Sequence, residues 1–421
     1  MDETAVVTGF LHNRGDVLLL QRSDAVGSYQ GKWGAVAGHA EGDPAAAIRR
    51  EIREETGIDA GTADMRRAGE PFTVEDLALD TRWIVHPYLF ETETRSVTPN
   101  WETARHEWVS PTAILRRETV PDLWMSYDRV RPTVEDVAED TDHGAATLSL
   151  FALECLRDEA ALFATGRRDG GWSALVDVAE RLLAARPAMC VVANRINRVM
   201  DAADDERTPA VVEQRAHEAC HRAVRADAAA GANARSFLAD ARVATLSRSG
   251  TVLDALTSGT PAAVLVAESR PGREGIGVAE ELAADLGDDG VTVTSDAAFP
   301  SELATWDADV LLVGADTILA DGRVLNKVGT YPAAAVAERE GVDVVVVAAT
   351  DKISPGTTAP RESRDPAEIY DGTGAVDVRN PTFDLTPASL IDVVSTEDGS
   401  ADGEGVRSIA AEQRARADWR R

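Results

Sequence analysis

The chain has 421 residues, 72 acidic and 43 basic, for a net charge of −29. That length predicts two or three domains, and the lack of any basic patch excludes direct nucleic-acid binding, which needs cations against phosphate. Lys32, Lys327 and Lys352 are the only lysines, yet 44% of the residues are hydrophobic, so the acidity reads as a folded protein adapted to high internal salt rather than as disorder. Thermal melts are therefore expected to rise in molar KCl, where the Debye length falls to about 3 Å and surface self-repulsion is screened; equal stability near about 0.1 M salt would give the acidity another purpose.

The first predicted elements are short and apolar: Val6-Val7-Thr8-Gly9-Phe10-Leu11, then Val17-Leu18-Leu19-Leu20 running into Gln21 and Arg22. A turn at Gly31-Lys32-Trp33-Gly34, a Gly-rich loop at Gly38-His39-Ala40-Glu41-Gly42 and a helix complete the order strand, turn, strand, loop, helix. The helix carries Arg50-Glu51-Ile52-Arg53-Glu54-Glu55-Thr56-Gly57-Ile58. At about 3.6 residues per turn, Glu51, Glu54 and Glu55 project from one face. Such carboxylates repel one another unless cations sit among them, and hard ions such as Mg²⁺ are held by carboxylates together with substrate phosphates. Gly57 suits the left-handed turn that stops the helix. A solvated acidic face is the alternative reading of the same nine residues.

In this order the segment resembles the Nudix hydrolase family, whose signature is Gly-x5-Glu-x7-Arg-Glu-apolar-x-Glu-Glu-x-Gly-apolar. The helical half matches in full at Arg50, Glu51, Ile52, Glu54, Glu55, Gly57 and Ile58; in the loop half Asp43 replaces the first Glu, with one residue missing on each side of it. The resemblance implies an α/β/α sandwich with a mixed sheet over residues 1–130 and hydrolysis of a nucleoside diphosphate derivative or related pyrophosphate. It implies that Glu51, Glu54, Glu55 and Glu102 hold Mg²⁺ or Mn²⁺, with Glu54, Glu55 and Glu102 as the catalytic carboxylates. Arg22 and Arg50 are candidates for the anionic substrate, Arg50 also orienting the cluster through a carboxylate pair. Glu102 is preferred to Glu107 by its spacing from Glu107-Trp108-Val109, and His106 is a weaker candidate that reads as a surface or packing residue. Substrate specificity is expected in loops such as 66–80.

The first domain is expected to end within 121–133, followed by an acidic connector at 131–142. Residues 143–241 are rich in Ala, Leu and Arg with helical spacing, as in Leu148, Phe151, Ala152 and Cys155 and in Leu175, Ala179, Leu182 and Leu183. Within them His217-Glu218-Ala219-Cys220-His221 fits the zinc-protease pattern His-Glu-x-x-His. No third ligand follows in sequence, so chance occurrence on an amphipathic helix is the expectation. From residue 242 to 400 short apolar runs at 262–266, 291–294, 310–313 and 342–347 alternate with helical segments, predicting a Rossmann-like parallel sheet covered on both faces. Residues 401–421 read as a polar tail.

The strongest signal in this half is Val313-Gly314-Ala315-Asp316-Thr317-Ile318, followed by Asp321-Gly322 and Leu325-Asn326-Lys327-Val328-Gly329-Thr330-Tyr331. Asp316 falls just after an apolar strand, where α/β sheets open ligand crevices. Turn and capping roles are the plain alternative. The run resembles the family shared by the alpha, beta and delta subunits of translation initiation factor 2B, methylthioribose-1-phosphate isomerase and ribose-1,5-bisphosphate isomerase. Further matches are Asp142-His143-Gly144-Ala145, Arg186-Pro187, Glu268-Ser269-Arg270-Pro271 and Thr350-Asp351-Lys352-Ile353-Ser354. In the isomerase branches a Cys and an Asp move a proton between the first two sugar carbons. Asp316 takes the Asp position, but Thr245-Leu246-Ser247-Arg248-Ser249-Gly250 puts Ser247 where the thiol belongs. Serine is a poor proton donor or acceptor without an adjacent base, and no other cysteine substitutes on sequence grounds. The resemblance thus implies a weakened isomerase or a binding module, with Arg270 and Lys327 meeting phosphate and Asp316 and Asn326 meeting hydroxyls.

Together these readings predict a Nudix pyrophosphohydrolase of a ribose-bearing diphosphate, ADP-ribose or phosphoribosyl pyrophosphate in type, joined to a ribose-phosphate-binding domain. The alternative is a non-catalytic regulatory protein resembling an initiation factor 2B subunit, with a nucleotide-sensing Nudix domain. The partners expected are a nucleotide or sugar phosphate and further copies of the chain through the second domain. Met1-Asp2-Glu3-Thr4 is acidic where a signal peptide needs positive charge and no apolar run approaches about 18 residues, so a cytoplasmic protein without membrane association is expected. Cys155, Cys190 and Cys220 are widely spaced and odd in number, as reduced thiols would be.

Overall fold

The alternation of side chains along two adjacent strands decides the N-terminal architecture. Strand Asp2–Asn13 turns Val7 and Leu11 to one face and Phe10 to the other, and strand Asp16–Arg22 does the same with Leu18 and Leu20 against Val17 and Leu19. Both faces must then be covered. In the computed structural model of the protein, which describes residues 2–59, 61–140, 143–287, 290–358 and 362–420, helix Pro44–Thr56 covers the first face with Ile48 and Ile52, and Leu123 and Tyr127 of helix Leu123–Asp128 cover the second. The result is an α/β/α sandwich on a mixed sheet. Asp2–Asn13 pairs in parallel with Thr81–Glu91 and antiparallel with Val36–His39. It joins Asp16–Arg22 through a two-residue turn, Arg14-Gly15, whose φ angles of 54° and 88° are those of the tight hairpin turn that matches strand twist.

The chain divides into two compact units: residues 1–141, 150–185 and 205–221 form the first, and 142–149, 186–204 and 222–421 the second. The helical stretch grouped by composition as 143–241 is thus shared between them. In the first unit His12 is buried with Nδ1 2.7 Å from Glu91 and Nε2 3.0 Å from Glu154. Burial opposes its charge, but the two carboxylates outweigh it and push the imidazole up to about 10.

Three expectations are corrected here. The specificity loop at 66–80 is instead largely sheet: Phe72–Asp76 pairs with Thr81–Glu91, because Phe72 and Val74 alternate inward. The acidic connector contains helix Val134–Glu139, started by a reciprocal cap in which Thr133 Oγ1 accepts from Asp136 N and the Asp136 side chain accepts from Thr133 N. The polar tail forms helix Gly403–Ala415, whose Val406 and Ala410 face a hydrophobic core, and Trp419 is buried with Nε1 donating to Asn197. Asp142 lies outside the described residues.

The second unit is a seven-stranded sheet in the order Val291–Thr294, Ala263–Ala267, Arg242–Leu246, Val310–Val313, Asp343–Val347, Val393–Thr396, Gly399–Ala401. Its first six strands are parallel and the last is antiparallel. Leu265, Leu311, Val313 and Val346 pack on one face and Val264, Val266, Leu312 and Val345 on the other, as a sheet covered by helices on both sides requires. Successive strands run outward in opposite directions from the pair Arg242–Leu246 and Val310–Val313. That pair is the topological switch point, and ligands of such sheets bind beyond its carboxyl ends. Among the described residues no helix is long and apolar enough to cross a membrane.

Candidate functional site

In the first unit the helix Pro44–Thr56 is built to present acids. Asp43 caps its start, Oδ1 accepting from Ala45 N at 3.1 Å, so the residue that departs from the loop signature serves as an N-cap. Gly57 ends it at φ 71°, its N–H bonding Arg53 O. Gly38 on the neighbouring strand is there for space: a Cβ at that position would lie 2.2 Å from Cδ of Glu51. Glu51 accepts from Arg50 Nη2 at 3.0 Å.

The adjacent acids Glu54 and Glu55 have different surroundings. Glu54 is exposed, whereas Glu55 is buried and accepts from Ala37 N at 3.3 Å. Burial first, and then the charges of Glu102 and Glu51, push the Glu55 carboxyl up to about 8 against the opposing pull of the Ala37 N–H and Arg22. Glu102 reaches this group from a remote loop because Ser23 N donates to its carbonyl at 2.7 Å and its own N–H donates to Asn100 Oδ1 at 2.9 Å. Glu51, Glu102, Arg22 and Arg50 all line a cleft of about 610 Å³. Glu107 is occupied elsewhere, ion-paired to Arg117 at 2.6 Å and Arg105 at 2.7 Å, and His106 sits half-buried in strand Thr103–Val109, away from the cleft lining.

Sequence reading passed over the aromatic side of the cleft. Trp83 Nε1 donates to Tyr29 Oη at 3.0 Å, and Tyr29 Oη donates to Asp76 Oδ2 at 2.7 Å. Burial and the bond to Asp76 push the Tyr29 hydroxyl up to about 12, so it stays a donor. Trp101, beside Glu102, is 66% exposed at the rim. The available signal was composition: in a chain only 5% aromatic, a Tyr and two Trp at one cleft are a concentration, but their positions 29, 83 and 101 share no spacing.

A cluster of carboxylate oxygens suits a hard divalent cation. After burial, the charges of Glu102 and Glu51 that raise Glu55 are what a bound cation would offset, so Glu51, Glu54, Glu55 and Glu102 are the carboxylates that would hold one; among the described residues no three of their oxygens are drawn within 4.8 Å of one another.

In the second unit Ser247 follows strand Arg242–Leu246 and Asp316 follows Val310–Val313, so the two flank the switch point at the carboxyl ends of neighbouring strands. Ser247 has φ 61°, outside the usual range for its residue type, and its N–H donates to Ser269 Oγ at 2.7 Å. Burial pushes the Asp316 carboxyl above the ordinary range; Lys352 and Lys327 oppose this and Glu362 adds to it. The cavity at Asp316 measures only about 20 Å³ and is bordered by Met189, Thr317 and Glu362, space for a water and no more. Asn326 Nδ2 donates to Thr330 Oγ1 at 3.0 Å, and Lys327 Nζ is 2.7 Å from Glu274. Arg270 is exposed and paired with Glu268 at 3.1 Å, apart from the lining of that cavity. The geometry therefore groups Asp316 with Lys352, Lys327 and Glu362, while Asn326 and Lys327 are engaged within the chain.

Lys352 owes its place to a buried anchor. Asp351 receives Arg195 Nε at 3.3 Å and Arg198 Nη2, while Asn194 Nδ2 donates to the carbonyls of Asp351 at 2.8 Å and Ile353 at 2.9 Å.

Comparison with known proteins divides the chain differently from the compact units, because residues 150–185 and 205–221 pack with the first unit but fall within the second family match. The Initiation factor 2 subunit family matches residues 141–403, and the NUDIX domain matches residues 2–130. The chain is 33% identical over 300 residues to a ribose 1,5-bisphosphate isomerase of Haloferax volcanii, covering 66% of this chain and 92% of that one. It is 36% identical over 173 residues to a methylthioribose-1-phosphate isomerase of Syntrophotalea carbinolica, 38% of this chain and 49% of that one. Among solved structures, a translation initiation factor eIF-2B from Pyrococcus horikoshii is similar with TM-score 0.53 at 24% identity, covering 64% of this chain and 94% of that one. A 5-methylthioribose 1-phosphate isomerase from the same organism is similar with TM-score 0.52 at 21% identity, covering 74% and 89%. At these identities the structures speak for the fold alone. The chain belongs to the initiation factor 2 subunit family and carries a NUDIX domain ahead of that family's region.

Proposed function

We propose that the first unit is a metal-dependent pyrophosphohydrolase of a ribose-bearing diphosphate, ADP-ribose or phosphoribosyl pyrophosphate in type, and that the second unit binds ribose phosphate. The observation that carries the reading is a cleft of about 610 Å³ lined by Glu51, Glu102, Arg22 and Arg50, with the buried Glu55 feeling the charges of Glu102, Glu51 and Arg22. Glu51, Glu54, Glu55 and Glu102 would hold Mg²⁺ or Mn²⁺, which when bound would neutralise the diphosphate and make a water more acidic. Arg22 and Arg50 draw the phosphate oxygens into the cleft. Glu55 Oε1 accepts the Ala37 N–H and the metal-free carboxyl is pushed up to about 8; only its ionised form could hold a cation or accept a proton from water, so cation binding and activation of this group go together. The ribose assignment draws support from the isomerase relatives, whose names specify ribose phosphates.

For the second unit a specific observation favours binding over fast catalysis. Serine stands where the isomerase thiol belongs, which disfavours proton transfer; a ligand at Asp316 would have to displace the pairings of Asn326 and Lys327 and widen a cavity of about 20 Å³. The regulatory alternative, a nucleotide sensor resembling an initiation factor 2B subunit, draws on the same observation. A homo-oligomer formed through this unit is part of the proposal.

The test is a phosphate-release screen of ribose-bearing diphosphates with Mg²⁺ and Mn²⁺ in molar KCl, on the wild type and Glu54→Gln. Turnover by the wild type and its loss in the variant are expected; turnover unchanged in the variant, or binding without hydrolysis by the wild type, would overturn the hydrolase reading. On ribose 1,5-bisphosphate the wild type is expected to form ribulose bisphosphate slowly or not at all and Ser247→Cys to form it faster. Fast isomerisation by the wild type would mean that another group moves the proton.

A further inference from the structure

The His-Glu-x-x-His pattern has a third partner that no sequence window contains. We propose that Asp16, His217 and His221 form a site for a divalent transition metal of the zinc class, in the first unit but sharing no residue with the acidic cleft. Helix Pro209–Ala234 sets the two imidazoles at i and i+4 on one face, with ring centroids 4.7 Å apart and planes inclined at 72°. The hairpin turn then brings in Asp16, which is 4% exposed, so that one ligand atom from each of the three residues lies within 4.8 Å of the others. Asp16 Oδ1 is 3.3 Å from His221 Nε2. A tetrahedral ion with ligands at about 2.0–2.1 Å sets neighbouring ligand atoms about 3.3 Å apart.

The surroundings hold the ligands in place. Arg95 Nη2 grips the other oxygen of Asp16 at 2.5 Å, the outer-shell bond that orients a ligating carboxylate. Arg157, fully buried, donates to Gly15 O at 2.6 Å and fixes the turn. At Gly15, φ 88°, a Cβ would meet Cβ of Cys220 at 3.0 Å, so the turn lies directly on the helix between the two histidines. Nδ1 of His217 is buried without a hydrogen-bond partner among the described residues.

Two imidazoles and one carboxylate select zinc-class ions over Mg²⁺, in contrast to the all-carboxylate cleft. The motif's Glu218 is turned to solvent, bonded to Gln214 at 2.9 Å and Arg215 at 3.0 Å. It therefore does not serve as the general base of a metalloprotease. The site's work is to hold: a metal there clamps a strand turn to a helix 205 positions away and stabilises the folded chain by mass action.

The experiment uses the untagged full chain, stripped with chelator and kept in molar KCl, in a Glu51→Gln/Glu54→Gln background that weakens the acidic cleft. Co²⁺ is titrated while its ligand-field absorption is followed, then displaced with Zn²⁺, and melts are recorded with Zn²⁺ or Mg²⁺. The expected result is one Co²⁺ per chain, displaced by equimolar Zn²⁺, a melting temperature raised by Zn²⁺ but not by Mg²⁺, and loss of binding in His217→Ala and His221→Gln. Absence of Co²⁺ binding at micromolar concentrations, or binding that both histidine variants retain, would overturn the site. The stoichiometry is also read on the wild type, where Mg²⁺ in excess occupies the acidic cleft and no variant has to fold, and Asp16→Asn, far in sequence from the helix, gives an independent reading.

Discussion

Replacing Glu55 by Gln is expected to cost turnover about two to three orders of magnitude, the scale of a lost acid–base group, and at the same time to make the protein more stable at pH 8. The gain follows from linkage. The Glu55 carboxyl titrates at about 8 when folded, against an ordinary value of 4.5, so between those limits the unfolded chain releases a proton that the folded chain keeps. Wild-type stability therefore falls as pH rises from 4.5 to about 8. Gln keeps the acceptor for the Ala37 N–H and has no charge to suppress. Its advantage should be absent below pH 4.5, grow across the window and level off above about 8. Metal-free melts of both proteins at pH 4, 6 and 8 check this; a variant less stable than wild type at pH 8 would show that Glu55 is not penalised by burial. Activity carries the same signature, since cation binding favours the ionised carboxylate: the pH midpoint of turnover should fall as Mg²⁺ is raised.

The second large effect lies in the other unit. Asp351→Asn is expected to destabilise the fold by roughly 3–5 kcal/mol, because Arg195 and Arg198 lose their shared carboxylate and Arg195 keeps only the longer pair with Asp227 at 3.5 Å. Arg195 is 1% exposed and Arg198 is also directed at this carboxylate. Burial opposes ionisation of Asp351, yet the two arginines outweigh it and hold its carboxyl below the usual range. Melts in molar KCl provide the measurement, and a variant melting within a degree of wild type would mean that the network is dispensable. Because Lys352 follows directly and its charge acts on Asp316, ribose-phosphate binding should weaken in any fraction that stays folded.

The helix Pro44–Thr56 and the apolar strands of both sheets were legible because periodicity and end signals, Asp43 and Gly57 among them, are local. What was not legible depends on depth and distance. Glu54 and Glu55 are neighbours in one motif, and only packing against Ala37 separates an exposed acid from a buried one. Segment 66–80 looked like a loop because its inward residues Phe72 and Val74 are too few to announce a strand without Thr81–Glu91 beside them. Asn326 and Lys327 were expected to face a ligand, but a side chain's local partner, here Thr330 or Glu274, is fixed only when the hairpin and helices close. Asp16 and His221 lie 205 positions apart, beyond any pattern of spacing.

The scarcity of lysine, combined with where the lysines lie, makes the second unit addressable by covalent chemistry. Lys32 is open to solvent, its side chain 41% exposed beside Glu118, whereas Lys327 and Lys352 are 6% and 8% exposed next to Asp316. An amine-acylating reagent therefore meets one accessible side chain and two shielded ones. Lys32 serves as the internal clock of such a reaction, and the lag of the other two measures how often the Asp316 crevice opens, with ligand or without it.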